Sequence, residues 1–307
     1  MISYKLKVTL KYKTMKKSFL LFGGLIMLAA CGQQPTEEKK DPAVQEPAIE
    51  ERGAKEPSLS LVWETDTSLT TNESVLSHEG VLYVSNIAGK PTDKDGVGFI
   101  SKVDMDGQVT DLKWAKGLDA PKGMGVLNDK LYVTNITELV EINLADGKIT
   151  KRYPVSGSEF LNDIAILDNK VYFSDMNTGK LHVLENGQVT TLAENREALN
   201  GLAVSEGKLY GLDAKGLHQF SLDGKEHVTI NDEVTGGDGL IVIDENTFVA
   251  SRWKGEIWMI KEGLATKMLD SKDQDVQTAD IAYIPEEKLV LVPRFFSNKV
   301  SAYRLDY

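Results

Sequence analysis

Six positions recur along the chain at spacings of 49, 40, 38, 38 and 41 residues: Glu73, Lys122, Asn162, Asn200, Asp238 and Ala279. Each is followed within two residues by a short apolar run, as in Asn162-Asp-Ile-Ala and Asp238-Gly-Leu-Ile. Carried by equivalent elements to one point, they bring two carboxylates and two amide carbonyls together. Such an all-oxygen set suits a hard divalent cation. Ca2+ tolerates an irregular oxygen cage and Mg2+ less readily, and no thiolate or imidazole stands at these positions to favour a softer ion. A cation would also relieve the repulsion between the carboxylates of Glu73 and Asp238. Lys122 admits several roles: repelling a cation, pairing with Glu73 or Asp238, contacting a substrate, or modulating a neighbour's pKa. Taken singly, Asn200-Gly201 and Asp238-Gly239 are also ordinary turn pairs. Their shared register is what points to a site.

The elements that must position these residues are short strands. Around Asn200 the chain reads as four runs broken by Glu206-Gly207, Ala214-Lys215-Gly216 and Asp223-Gly224, which is hairpin chemistry. The second runs share a pattern: Val81-Leu-Tyr-Val-Ser-Asn86, Leu131-Tyr-Val-Thr-Asn135, Val171-Tyr-Phe-Ser-Asp175 and Leu209-Tyr-Gly-Leu-Asp213. Four strands per period of about 40 residues predict a β-propeller, here of six blades. The longer first spacing is accounted for by a loop from Ala88 to Gly98. The sixth unit holds only three strands, Ile281–Ile284, Leu289–Val292 and Val300–Leu305. The unassigned run Leu59–Trp63 is therefore expected to complete it and remove an exposed edge. No helix-period segment of useful length interrupts this pattern, which argues against a parallel α/β fold.

Of the 307 residues, 35 are Lys or Arg and 46 are Asp or Glu, a net charge of −11. Without the six lysines of residues 1–30 the remaining 29 basic and 46 acidic residues give −17. That balance excludes a nucleic-acid partner, which requires cations to neutralise phosphates. Lys16-Lys17 precede an apolar stretch from Phe19 to Ala30 that is too short to span a bilayer and ends in Leu28-Ala-Ala-Cys31. This resembles a bacterial lipoprotein signal, residues 1–30, with Cys31 as the acylated residue that ties the protein to a lipid bilayer of the cell envelope. Met15 is an alternative start. Residues 31–57 hold four of the nine prolines and little apolar surface, and read as a disordered tether to a propeller over 58–307.

The openings Glu73-Ser-Val-Leu, Asn162-Asp-Ile-Ala, Asn200-Gly-Leu-Ala and Asp238-Gly-Leu-Ile, with strands such as Lys208–Asp213, resemble the regucalcin/gluconolactonase family over residues 59–307. The resemblance implies a six-bladed propeller with an axial divalent cation, Ca2+ or else Mg2+, Mn2+ or Zn2+, hydrolysing small lactones or esters. Carried over by position, Glu73, Asn200 and Asp238 are its metal ligands, and Asp238 is also the catalytic base. Asn162 lines the substrate pocket and reaches the metal directly or through water. The chain departs from the family where Phe160-Leu161 precedes Asn162 in place of an arginine, and where Glu73-Ser74-Val75 replaces Glu-Gly-Pro. Sugar-lactone specificity is therefore not implied.

Other motifs carry less. His78, His182, His218 and His227 fall within or at the ends of predicted strands and read as surface or packing residues. Neither a Gly-x-Ser-x-Gly elbow nor a Walker loop is present. Asp93-Lys-Asp-Gly96 reads as a polar loop, Arg252 and Arg294 as interblade ion pairs or else as residues of the channel rim, and Trp253 and Trp258 as blade packing. The expected function is that of an envelope-anchored, metal-dependent hydrolase of lactones or esters. The alternative is a non-catalytic propeller that binds a small ligand or a protein.

Overall fold

The computed structural model describes residues 55–307. The signal segment, Cys31 and nearly all of the tether lie outside these residues. The described chain forms 24 strands in six antiparallel sheets of four. Blade 1 comprises β2 (Asn72–His78), β3 (Val81–Asn86), β4 (Gly98–Val103) and β5 (Val109–Leu118). Blade 2 runs from β6 (Pro121–Leu127) and β7 (Lys130–Asn135) through β8 (Glu138–Asn143) to β9 (Ile149–Pro154). Blades 3, 4 and 5 open on β10 (Leu161–Leu167), β14 (Leu202–Ser205) and β18 (Leu240–Asp244), and blade 5 continues through β19 (Thr247–Arg252) and β20 (Glu256–Lys261) to β21 (Leu264–Asp270). In blade 6, β22 (Ala282–Ile284), β23 (Leu289–Pro293) and β24 (Val300–Asp306) are joined by β1 (Ser58–Glu64), which pairs antiparallel with β24 from Ser58 opposite Asp306 to Glu64 opposite Ser301. The ring closes as the strand count predicts.

Tight turns fix the registers. Glu79-Gly80, Asn128-Asp129 and Glu206-Gly207 each place two consecutive residues at positive φ. This left-handed pair is the turn whose twist matches that of an antiparallel hairpin. The apolar side chains do not form one central core. They form wedges between consecutive blades: Tyr83, Ile100 and Leu118 of blade 1 meet Leu131, Val133 and Val140 of blade 2, while Val84 and Val103 on the opposite side meet Leu289, Leu291 and Val300 of blade 6. Similar wedges fill the remaining junctions. Such packing buries both faces of every sheet and leaves the axis to polar residues.

The innermost strands begin irregularly, and this irregularity builds the site. In blades 1, 2 and 3 the ladder is interrupted between Asn72 and Val75, between Pro121 and Met124, and between Leu161 and Ile164. The skipped pairs are Glu73-Ser74, Lys122-Gly123 and Asn162-Asp163. A hydroxyl on the second strand of the blade occupies the gap. Ser85 Oγ accepts from Ser74 N at 2.9 Å, Ser174 Oγ accepts from Asp163 N at 2.9 Å, and in blade 5 Ser251 Oγ accepts from Gly239 N at 2.8 Å. Thr134 Oγ1 and Ser251 Oγ donate onward to the next blade, to the carbonyls of Asn162 and Ala279. The recurrent Ser/Thr of the second strands thus ties each bulge to its own blade and two of them to a neighbour.

Candidate functional site

In blades 1, 2 and 3 the bulge at the start of the innermost strand places two successive residues at the axis, and in blades 4, 5 and 6 the corresponding pairs, Asn200-Gly201, Asp238-Gly239 and Ala279-Asp280, lie ahead of the innermost strand. The upper set holds the sequence-predicted residues. Glu73, Lys122, Asn162, Asn200 and Asp238 are all buried, and all line one cavity of about 420 Å3. Ala279, the sixth position, is buried against Ile87, Ala120, Ile136 and Phe295. The second set is Ser74, Gly123, Asp163, Gly201, Gly239 and Asp280. Its two carboxylates were not singled out from the sequence, although each immediately follows a predicted opening residue.

These lower carboxylates join blades. Asp163 accepts backbone N–H bonds from Ile164 in its own blade and from Leu202 in the next, both at 2.6 Å. Asp280 accepts from Ser74 Oγ at 2.5 Å, linking blade 6 to blade 1. Glycine stands beside each for a steric reason. A Cβ on Gly123 would lie 2.8 Å from Asp163 Oδ1, and one on Gly239 would lie 2.7 Å from Asp280 Oδ1. The missing side chains of Gly123 and Gly239 are what leave room for Asp163 and Asp280 in the lower ring.

Four fully enclosed carboxylates and one lysine therefore share the hub. Burial pushes the Glu73 carboxyl well above the carboxylate range, with Asp238 and Asp163 adding repulsion and Lys122 opposing. Asp238 is pushed up to about 7 by burial, against the hydrogen bond from Asn200. Asp163 is likewise raised to about 7 by burial, its two backbone hydrogen bonds opposing. Asp280 is raised by burial and by Asp163 and Glu73. Burial lowers the Lys122 ammonium to about 8, with Glu73 favouring its charged form. The hub is short of positive charge.

Its unsatisfied atoms show where such charge fits. Asn200 donates from Nδ2 to Asp238 Oδ1 at 2.8 Å, which leaves Asn200 Oδ1 buried without a hydrogen-bond partner. Glu73 Oε2 is also buried and unpartnered. Two orphan oxygens on the floor of one cavity, beside a second carboxylate, are the donors a hard cation takes. The residues present thus fit a divalent cation, although among the described residues no three His, Cys, Asp or Glu side chains form a metal cluster. Any such site depends on its amide ligands.

The Lys122 ammonium is anchored by two backbone carbonyls and an aromatic face. Its Nζ donates to Ala120 O at 3.0 Å and Pro91 O at 3.3 Å and lies 4.3 Å from the centroid of Phe160. Pro91 belongs to the long β3–β4 loop, which is pinned across blade 2 by Lys94 Nζ on Thr137 Oγ1 at 2.6 Å and by Gly96 N on Asp119 Oδ1 at 3.0 Å. The cavity walls above the polar floor are apolar: Ile87, Pro91, Phe160, Met176, Trp253, Phe295 and Phe296.

Three expectations about surrounding residues are corrected or refined. Trp253 is not a blade-packing residue; it is 39% exposed and packs edge-on against Phe295 and Phe296 as part of the cavity wall. Arg252 pairs within its own blade, with Glu256 at 2.9 Å, rather than between blades. Arg294 makes no ion pair among the described residues and donates to Ser271 Oγ at 3.2 Å. His182 and His218 are buried packing residues, hydrogen-bonded to Thr191 and Thr229 at 3.1 Å, and His218 also meets Asp213 at 2.9 Å. None of the four histidines lines the cavity.

No family model matches the chain, and no curated protein matches it. Among solved structures, the chain is similar to virginiamycin B lyase from Staphylococcus aureus. In a catalytically inactive histidine-to-alanine variant solved with quinupristin, the TM-score is 0.58 at 12% identity, covering 82% of this chain and 100% of that one. The selenomethionine-substituted form of that lyase gives a TM-score of 0.59 at 13% identity, with the same coverage. At such identity the likeness establishes a shared six-bladed propeller fold.

Proposed function

We propose that this protein hydrolyses a small lactone or ester with the help of a divalent cation, Ca2+ or a similar ion, held by Glu73, Asn200, Asp238 and Asn162. The observation that carries this reading is the pair of buried, unpartnered oxygens, Glu73 Oε2 and Asn200 Oδ1, on the wall of the axial cavity. A cation bound there would polarise a carbonyl and acidify a water. Asp238 supplies the base. One of its oxygens is fixed by Asn200, and the other remains available to take a proton from a water. Asn162 offers an amide at the cavity wall, and Lys122 supplies a fixed positive charge toward a developing oxyanion. The apolar walls exclude water and favour a substrate with an apolar body. The solved lyase is described as inactivated by loss of one histidine. The cavity here has none, so acid–base work falls to Asp238.

A panel of aromatic and aliphatic lactones and esters, assayed with Ca2+ and with a chelator, tests the reading. Turnover is expected only with the cation, and Asp238→Asn should lower kcat by about 100-fold or more while thermal melting stays cooperative. Turnover that survives the chelator, or that is unaffected in Asp238→Asn, would reject it. Lys122 favours a second reading. Its ammonium partly neutralises Glu73 without any metal, so the cavity also suits a non-catalytic binding module. Ligand binding without turnover on any substrate would select that reading. The envelope location rests on the Leu28–Cys31 signal and is proposed with it: Cys31→Ser should abolish palmitate labelling of cells expressing the protein.

A further inference from the structure

A second cavity, of about 600 Å3, adjoins the first and shares Trp253 with it. Its charged lining is Arg252, Lys254, Lys272 and a single acid, Glu256. That acid is saturated: it is buried and is contacted by Arg252 at 2.9 Å, Lys267 at 3.2 Å and Lys272 at 2.6 Å. Asp270 outside the lining is likewise engaged, with Lys267 at 2.6 Å and Lys272 at 3.6 Å. Lys254 makes no ion pair among the described residues. Behind this wall Arg294, 6% exposed, donates to Ser271 Oγ, and its Nη1 is buried with no partner. Three cations thus face one carboxylate on the lining of this cavity, in a protein whose net charge is −11. Asp273 and Asp275 follow on the 3-10 turn but do not line the cavity.

We propose that this groove is an anion subsite, and that the natural ligand is an amphipathic organic anion. Its carboxylate, sulfonate or phosphate group lies against Arg252, Lys254 and Lys272, and its apolar body crosses Trp253 into the axial cavity. The geometry calls for both parts. The groove alone offers an anion no enclosed seat, and the cavity alone offers its charge only Lys122, whose ammonium is already bonded to the Ala120 and Pro91 carbonyls. Trp253, partly exposed and braced by Phe295 and Phe296, is the shared wall against which such a ligand would stack. This inference concerns binding and does not depend on hydrolysis.

The test uses two probes with one body: 8-anilinonaphthalene-1-sulfonate and its uncharged parent, N-phenyl-1-naphthylamine. Each is titrated into the full chain by energy transfer from tryptophan, in chelator and in Ca2+. Lys254→Ala and Arg252→Gln should each weaken the sulfonate about threefold or more and leave the parent within about twofold, as expected for partly exposed charge pairs. Phe296→Ala should weaken both probes, and added salt only the sulfonate. Lys254→Ala breaks no ion pair, so it keeps the test valid if Arg252→Gln fails to fold. Sulfonate affinity unchanged in Lys254→Ala, equal losses for the two probes, or indifference of both to Phe296→Ala would overturn the proposal. A failed lactonase assay would leave it standing.

Discussion

At the scale of single residues, the chemistry of the hub is governed by enclosure. Asp163 and Asp238 have an ordinary carboxylate's pKa when unfolded, near about 4, but titrate near 7 in the native hub, and Glu73 and Asp280 are raised as well. Between these limits the native protein holds protons that the unfolded chain has already released, so the free energy of unfolding falls as pH rises. His182, whose pKa is depressed by burial, works in the opposite direction. In chelator, stability should drop by a few kcal/mol between pH 5 and 8, since a shift of about three units in one buried acid corresponds to about 4 kcal/mol at most. Millimolar Ca2+ at pH 8 should restore much of it by neutralising the hub. Urea unfolding across this range checks the sign; a curve that is flat, or that rises with pH, would show that the hub acids are ionised at little cost.

At the scale of the element, the decisive device is the bulge with its hydroxyl clasp. An ordinary strand alternates its side chains between faces and would deliver one residue per blade to the axis. The skipped pair delivers two. Ser251 shows the cost of losing the clasp, since its Oγ both accepts from Gly239 N and donates to Ala279 O. Ser251→Ala leaves a buried donor and a buried acceptor unsatisfied and should destabilise the protein by about 2 kcal/mol or more. A shift of the urea midpoint worth under about 0.5 kcal/mol would mean that these groups find other partners. Because the same backbone holds Asp238, cation affinity should weaken together with stability.

At the scale of the whole molecule, the site exists only because the ring closes. Ser74 of blade 1 meets Asp280 of blade 6, and Asp280 N donates to Glu73 O at 3.0 Å, so the two ends of the propeller share the hub. The closing strand β1 contributes no fully buried side chain; Leu59 and Trp63 are half-buried at the edges of two wedges. Its main role is to satisfy the backbone of β24. A chain shortened through Glu64 should therefore retain strand content by circular dichroism yet self-associate through the bare β24 edge, as judged by gel filtration. A monomeric, fully stable product would show that the last blade does not need its fourth strand.

The sequence by itself determined the period, the number of blades, the closing strand and the upper ring of the hub. Repetition makes these legible, because Glu73, Asn162, Asn200 and Asp238 occupy one register of a unit that recurs every forty residues or so. Asp163 and Asp280 were equally visible as letters, but strand alternation predicts that a residue next to an axial one points away. Asp163 reaches the axis through a hydroxyl-clasped bulge, and Asp280 through its bridge to Ser74 where the first and last blades meet. The cavity walls were likewise decided by tertiary structure. Trp253, Phe295 and Phe296 lie on loops with no register of their own, and they meet because closure of the ring brings blades 5 and 6 against the hub. Local pattern specifies what each strand is. Which side chains share a low-dielectric space is fixed by contacts between residues far apart in the chain, and it is that sharing which raises the hub carboxylates.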